Sequence, residues 1–181
     1  MKLKKHIMPQ AIIDFRKRAQ FILDNVPKSG IYLGRKIYWK LYAIENFYRV
    51  IIHSILSLQI DAKWWLVATP PLIQRKAQKF RANYLEKPWY TMPGKHFIYF
   101  TDLNDLNEIA RINSGFFEPI IPSIDDWVLR IEDLRLPRNV VAHMNFPNRT
   151  DRQRIDVIYK DFKALIKSIY DRGSIVLKAP K

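Results

Sequence analysis

Between Arg35 and Gln59, apolar residues fall at Leu41, Ile44, Phe47, Ile51, Ile55 and Leu58. Steps of three and four place them along one stripe of a long helix, and such a stripe has to be covered by other elements. This is therefore the expected central helix. Glu45, Arg49 and His53 step by four along a neighbouring face, where Glu45 and Arg49 are spaced to pair.

The flanking segments offer the cover. A first helix is expected over Gln10 to Asn25, followed by a turn at Val26-Pro27-Lys28-Ser29-Gly30. After the central helix, at least one indole of Trp64-Trp65 is expected to anchor the connection, since neighbours on a helix point about 100° apart. Pro70-Pro71 opens a basic helix that runs to Leu85 and ends in the proline-rich loop around Pro88 and Pro93. Phe97 to Phe100 reads as extended chain, because a four-residue β-prone run without a partner makes no sheet. Thr101 and Asp102 resemble an N-cap for a helix from Leu103 to Ile112, with Asp105 in its first turn, and Ser123 with Asp125 and Asp126 opens another. Thr150-Asp151-Arg152-Gln153 forms a capping-box pattern ahead of a last helix bearing Ile155, Ile158, Phe162, Leu165 and Ile169, which Gly173 ends. The result is an all-α helical bundle with an irregular middle: a basic helix and turn over 1–35, a helical domain over 36–172 and a tail over 173–181.

Charge bears most strongly on partners. Against 17 Asp and Glu stand 31 Lys and Arg, a net charge of +14. Such a surface attracts polyanions through phosphate contacts and counterion release. Lys36, Lys40, Arg75, Lys76, Lys79 and Arg81 are the candidate nucleic-acid contacts. Binding to an anionic membrane surface or an acidic protein rests on the same charge. The most apolar run, Val50 to Leu58, is too short to span a bilayer and contains His53 and Ser54, so membrane insertion is not expected. The chain has no cysteine, which removes thiol chemistry and fits a cytoplasmic setting. Its 4 histidines are scattered without metal-ligand spacing, and its 5 glycines form no phosphate-cradling loop. No metal or cofactor is expected.

Chemistry concentrates in Arg138-Asn139-Val140-Val141-Ala142-His143, with Pro137 in front, either at a fresh helical turn or at a kink in a longer helix. An imidazole moves protons near neutral pH, and a guanidinium holds a phosphate through two parallel hydrogen bonds. RNA cleavage is thus the leading expectation. The spacing alone carries little weight, because about one such Arg-to-His interval arises by accident in a chain of this composition. On a regular helix Asn139 and His143 share a face, whereas Arg138 sits about 140° from His143. A twofold pairing of two chains offers one way to bring the charges together. In the expected reaction the RNA 2′-hydroxyl attacks phosphorus, His143 transfers a proton and Arg138 stabilises the phosphorane, leaving a 2′,3′-cyclic phosphate and a 5′-hydroxyl. Asn139 is placed to orient His143, bind a non-bridging oxygen or cap the helix.

Arg138-Asn139 with Ala142-His143 resembles the arginine, polar residue and histidine signature of the HEPN superfamily of all-helical domains. The nearer likeness is to the branch attached to eukaryotic transcript-surveillance endonucleases and found in prokaryotic conflict systems. It includes Glu45 with Arg49, Trp64-Trp65, Tyr99-Phe100-Thr101-Asp102-Leu103, Phe116-Phe117 and the Arg138 to His143 segment. This resemblance implies a metal-independent endoribonuclease acting as a homodimer. Arg138 and His143 match the catalytic pair, Asn139 the polar position, and Glu45 or Arg49 a support from the central helix. A toxin or defence effector restrained by an antitoxin or other regulatory protein fits that setting. The alternative is a non-catalytic HEPN-like module that binds RNA or protein. The 1–35 segment has no counterpart in the likeness.

Overall fold

A computed structural model describes residues 22–180, and among these every regular element is helical. The elements are α1 (Val26–Leu33), a π-helical turn (Gly34–Tyr38), α2 (Trp39–Gln59), α3 (Trp64–Ala68), α4 (Pro71–Leu85), a 3-10 turn (Phe97–Phe100), α5 (Leu103–Ile112), α6 (Ser114–Phe117), α7 (Ile124–Ala142) and α8 (Arg149–Arg172). The helix expected over Gln10 to Asn25 lies almost wholly outside the described residues. No described helix is long and apolar enough to cross a membrane.

Helix α2 is the centre of the bundle. Ile44, Ile51, Ile52, Ile55 and Leu56 are buried along it, and α5 and α8 pack on its sides while α7 packs across α5 and α8. The buried face is wider than the stripe legible in the sequence, for it also takes in Tyr48, whereas Leu58 in the last turn is exposed. The Tyr48 hydroxyl donates to Asn107 Oδ1 at 3.2 Å, and Asn107 Nδ2 donates to the Val128 carbonyl at 3.1 Å. That chain of bonds joins α2, α5 and α7 through the core while satisfying each buried polar group. Burial alone pushes the Tyr48 phenol far above its ordinary pKa, so it stays a neutral donor.

Several local elements differ from the sequence reading, each for an identifiable reason. Val26 to Gly30 is not a turn but the start of α1, with Pro27 in the first turn where its missing N–H costs nothing. The chain passes from α1 into α2 through the π-helical turn, so it is continuously helical there. Phe97 to Phe100 is a 3-10 turn rather than extended chain: His96 Nδ1 accepts from the Ile98 N–H at 3.1 Å, and Thr101 Oγ1 donates to the Ile98 carbonyl at 2.6 Å. Both indoles of Trp64-Trp65 are buried, with Trp65 stacked on Phe97.

Helix starts divide in the same way. Asp102 forms the expected cap, its carboxylate accepting from Asn104 and Asp105 while Asp105 accepts from the Asp102 N–H. Ser123 instead adopts a left-handed conformation and makes no capping bond. The expected capping box at Thr150 does not form, because the cap lies two residues earlier, at Asn148, whose Oδ1 accepts from the Asp151 N–H at 2.8 Å. Gly173, with φ 60°, ends α8 as anticipated. The chain beyond it lies back on the bundle: the Lys178 N–H donates to Ser54 Oγ, and the Tyr99 hydroxyl donates to the Pro180 carbonyl.

Candidate functional site

Pro137 sits inside α7 rather than at a new helix start, which decides between the two placements the sequence left open. Lacking an N–H, it removes one bond from the middle of the helix. Arg138 follows directly, half-buried and turned toward α2. There Glu45 presents two oxygens to two arginines: Oε1 accepts from Arg49 Nη2, and Oε2 lies 3.6 Å from Arg138 Nη2.

The two arginines are held very differently. Arg49 is 11% exposed and also donates to Asn46 Oδ1, the Ile98 carbonyl and the Thr101 carbonyl. It clamps α2 to both ends of the 3-10 turn and has little left for a ligand. Arg138 is 30% exposed, and its nearest partners are Glu45 at 3.6 Å and Asn139 Oδ1 at 3.4 Å. Both contacts are long for charge-assisted bonds, so the guanidinium is oriented without being saturated.

Arg138 contributes to the walls of two adjoining cavities, of about 580 and 500 Å³, which also share Glu45, Arg49, Pro93 and Tyr99. The first continues past Lys76, Lys79, Phe80, Tyr84 and Asp102. Its four cations face two carboxylates, and both carboxylates are already engaged: Glu45 by the arginines, Asp102 by Lys76 at 2.7 Å. Burial works to lower the Lys76 pKa, but its bonds to Asp102 and Asp105 outweigh it and hold the ammonium charged above its ordinary range. Lys79 forms no ion pair among the described residues and is exposed at the cavity mouth.

Asn139 is half-buried between Arg135 and the start of α5, with its carboxamide on Arg138 rather than on His143. Its backbone carbonyl accepts the His143 N–H at 3.0 Å. His143 caps the end of α7, exposed, and its imidazole has no hydrogen-bond partner among the described residues. It is not in the walls of the two Arg138 cavities, although its neighbours Ala142 and Met144 both line the second. Among the described residues, neither of these two cavities therefore holds Arg138 and His143 together.

The remaining candidates scatter. Lys76 and Lys79 line the first cavity, while Lys36 and Arg75 are exposed outside both. Lys40 is mostly buried in an ion pair with Asp156, and Arg81 lies over the Phe97 ring at 4.9 Å. Residues not anticipated for the cavities are Phe80, Tyr84, Tyr38, Tyr42 and Met144. A usable signal existed for two of them, since Tyr38, Tyr42, Glu45 and Arg49 follow one helical face. Among the described residues, no group of three or more His, Asp or Glu is placed to hold a metal ion.

No family model, curated protein or solved structure matches the chain.

Proposed function

We propose that the protein is a metal-independent endoribonuclease in which Arg138 holds the scissile phosphate and His143 moves the proton. The observation that carries this reading is the state of Arg138: a cation aimed by Glu45 at 3.6 Å, lining a basic cavity, with donors to spare. A phosphate entering there meets a fork suited to two non-bridging oxygens, with Lys79 adding charge. The 2′-hydroxyl attacks the adjacent phosphorus, the P–O5′ bond breaks, and the proton leaves the 2′-oxygen as another reaches the 5′-oxygen. His143 serves as base or acid.

Since neither of the two Arg138 cavities among the described residues takes in His143, the protein acts as a homodimer in which His143 of a second copy completes the site. Leu129 and Leu136, each 65% exposed and seven residues apart on α7, supply apolar surface for such a contact. Replacement of His143 by Ala tests the assignment: cleavage is lost while RNA binding is retained. Unchanged cleavage overturns it.

The position of His143 outside the cavities also favours a second reading, a binding module in which the basic cleft holds RNA without turnover. In that case wild-type protein retains labelled RNA in salt-sensitive complexes and leaves it intact.

A further inference from the structure

The second cavity differs in character from the first. Beyond the residues the two share, it is walled by Tyr38, Tyr42, Asn46 and Met144 rather than by lysines. Tyr38 and Tyr42 are 57% and 61% exposed, large aromatic surfaces left open to solvent at the edge of a cation site. Tyr42 precedes Glu45 by less than one helical turn, about 4.5 Å along the axis. An aromatic face thus stands one step from the groups that aim Arg138.

Met144 adds an independent sign. Its φ is 59°, a left-handed conformation in which side chains beyond glycine are strained. The surrounding bonds are those of a Schellman motif, with the Met144 N–H on the Val141 carbonyl and the Asn145 N–H on the Val140 carbonyl. Glycine is the usual occupant of that position. Here a methionine, with its flexible side chain, is held there instead, 81% exposed and lining the tyrosine cavity. A strained, exposed apolar residue lining the same cavity as two exposed tyrosines forms an adaptable slot with no charged group of its own beyond the shared arginines and Glu45.

Building on the endoribonuclease reading, the geometry points to the Tyr38, Tyr42 and Met144 cavity as the seat of an unpaired nucleobase adjoining the phosphate on Arg138. The tyrosines stack on the base and Asn46 lies beside them as a polar group. Stacking of this kind tolerates any base but requires one, and it requires the base to be out of a duplex. The net charge of +14 and the cation-lined cavity next door select a polyanion for the rest of the chain of contacts.

The test uses wild-type protein and fluorescein-labelled decamers of 2′-O-methyl RNA, whose blocked 2′-oxygens cannot attack. The single strand is expected to bind at least about 10-fold more tightly than its duplex or an abasic decamer, from the usual strength of base stacking on an aromatic side chain. The Tyr38→Ala, Tyr42→Ala double variant loses that advantage, while Tyr42→Phe, which keeps a ring, retains it. Equal binding of abasic and base-bearing strands, or no change in the double variant, overturns the inference while leaving the endoribonuclease reading intact. Displacement of the strand by polyglutamate as readily as by unlabelled RNA shows a surface reading charge alone and also overturns it. Absence of both RNA binding and RNA cleavage by wild type defeats the inference and the reading beneath it together.

Discussion

Glu45 Oε2 lies 3.6 Å from Arg138 Nη2, joining the central helix to the proline-containing helix that carries the chemical motif. The same carboxylate is hydrogen-bonded to Arg49, so one acidic residue separates and orients two guanidinium groups. Removing it brings two partly buried like charges together without compensation.

Glu45→Ala is therefore expected to cost about 1–3 kcal/mol of stability, the usual penalty for leaving buried charged partners unpaired. Glu45→Gln keeps an acceptor for Arg49 and costs less. Thermal melts of the two variants order the effects. RNA cleavage falls in both, because Arg138 loses the charge that aims it; full activity in Glu45→Gln would remove Glu45 from the site.

Complementation checks whether the site spans two chains. Arg138→Ala and His143→Ala proteins, each inactive alone, are mixed, unfolded and refolded together. If each site draws its arginine and histidine from different copies, half of the dimers are mixed and each holds one intact site, giving about a quarter of wild-type activity. No recovery on mixing places both groups in one chain.

Acid sensitivity follows from a second cluster. Trp64 Nε1 donates to His53 Nδ1 at 3.1 Å, His96 Nδ1 accepts from the Ile98 N–H, and the two imidazoles are 5.0 Å apart. Burial lowers the His53 pKa, and burial together with repulsion from His53 brings His96 down to about 4. Both rings are neutral in the fold, whereas in the unfolded chain they charge near the ordinary histidine value of 6.5. Between pH 6.5 and about 4 the unfolded state binds more protons, so stability is full above this window and declines as pH falls through it. The expected loss is on the order of 2 kcal/mol once solvent screening of these partly exposed rings is allowed for. Melting temperatures of wild type and His96→Gln from pH 7 to 4 test it; the variant should decline less steeply, and parallel profiles would refute the assignment.

The cap of α8 gives a sharper local test. Asn148→Ala is expected to cost about 1 kcal/mol and Thr150→Ala less than about 0.5 kcal/mol. The reverse order in denaturant unfolding would restore the capping box that the sequence pattern favours.

Met144→Gly should raise stability by about 0.5–1 kcal/mol, or roughly 1–4 °C in Tm, by relieving the left-handed strain. An unchanged or lowered Tm contradicts the strain assignment.

Much of this architecture is legible in the chain. The α2 stripe, the Asp102 cap, the proline opening of α4 and the glycine stop after α8 each depend on neighbours in sequence, and each stands in the structure. The Glu45–Arg49 pair is of the same local kind. What escaped was decided by tertiary partners. The 3-10 turn at Phe97 forms because His96 and Thr101 bond across it and Arg49 reaches its carbonyls from another helix. Lys40 reads as a candidate nucleic-acid contact, yet Asp156 meets it from 116 positions away. The aromatic wall of Tyr38, Tyr42 and Met144 becomes a cavity only when the end of α7 lies beside α2.

Phosphodiester cleavage by Arg138 and His143 is read most directly by end-group analysis of RNA fragments. A labelled RNA pool is incubated in chelator with nuclease-free preparations of wild type, Arg138→Ala and His143→Ala. Fragments ending in 2′,3′-cyclic phosphate and 5′-hydroxyl, produced by wild type and lost in both variants, are the predicted result. Intact RNA with wild type, or the same fragments from all three proteins, would contradict it.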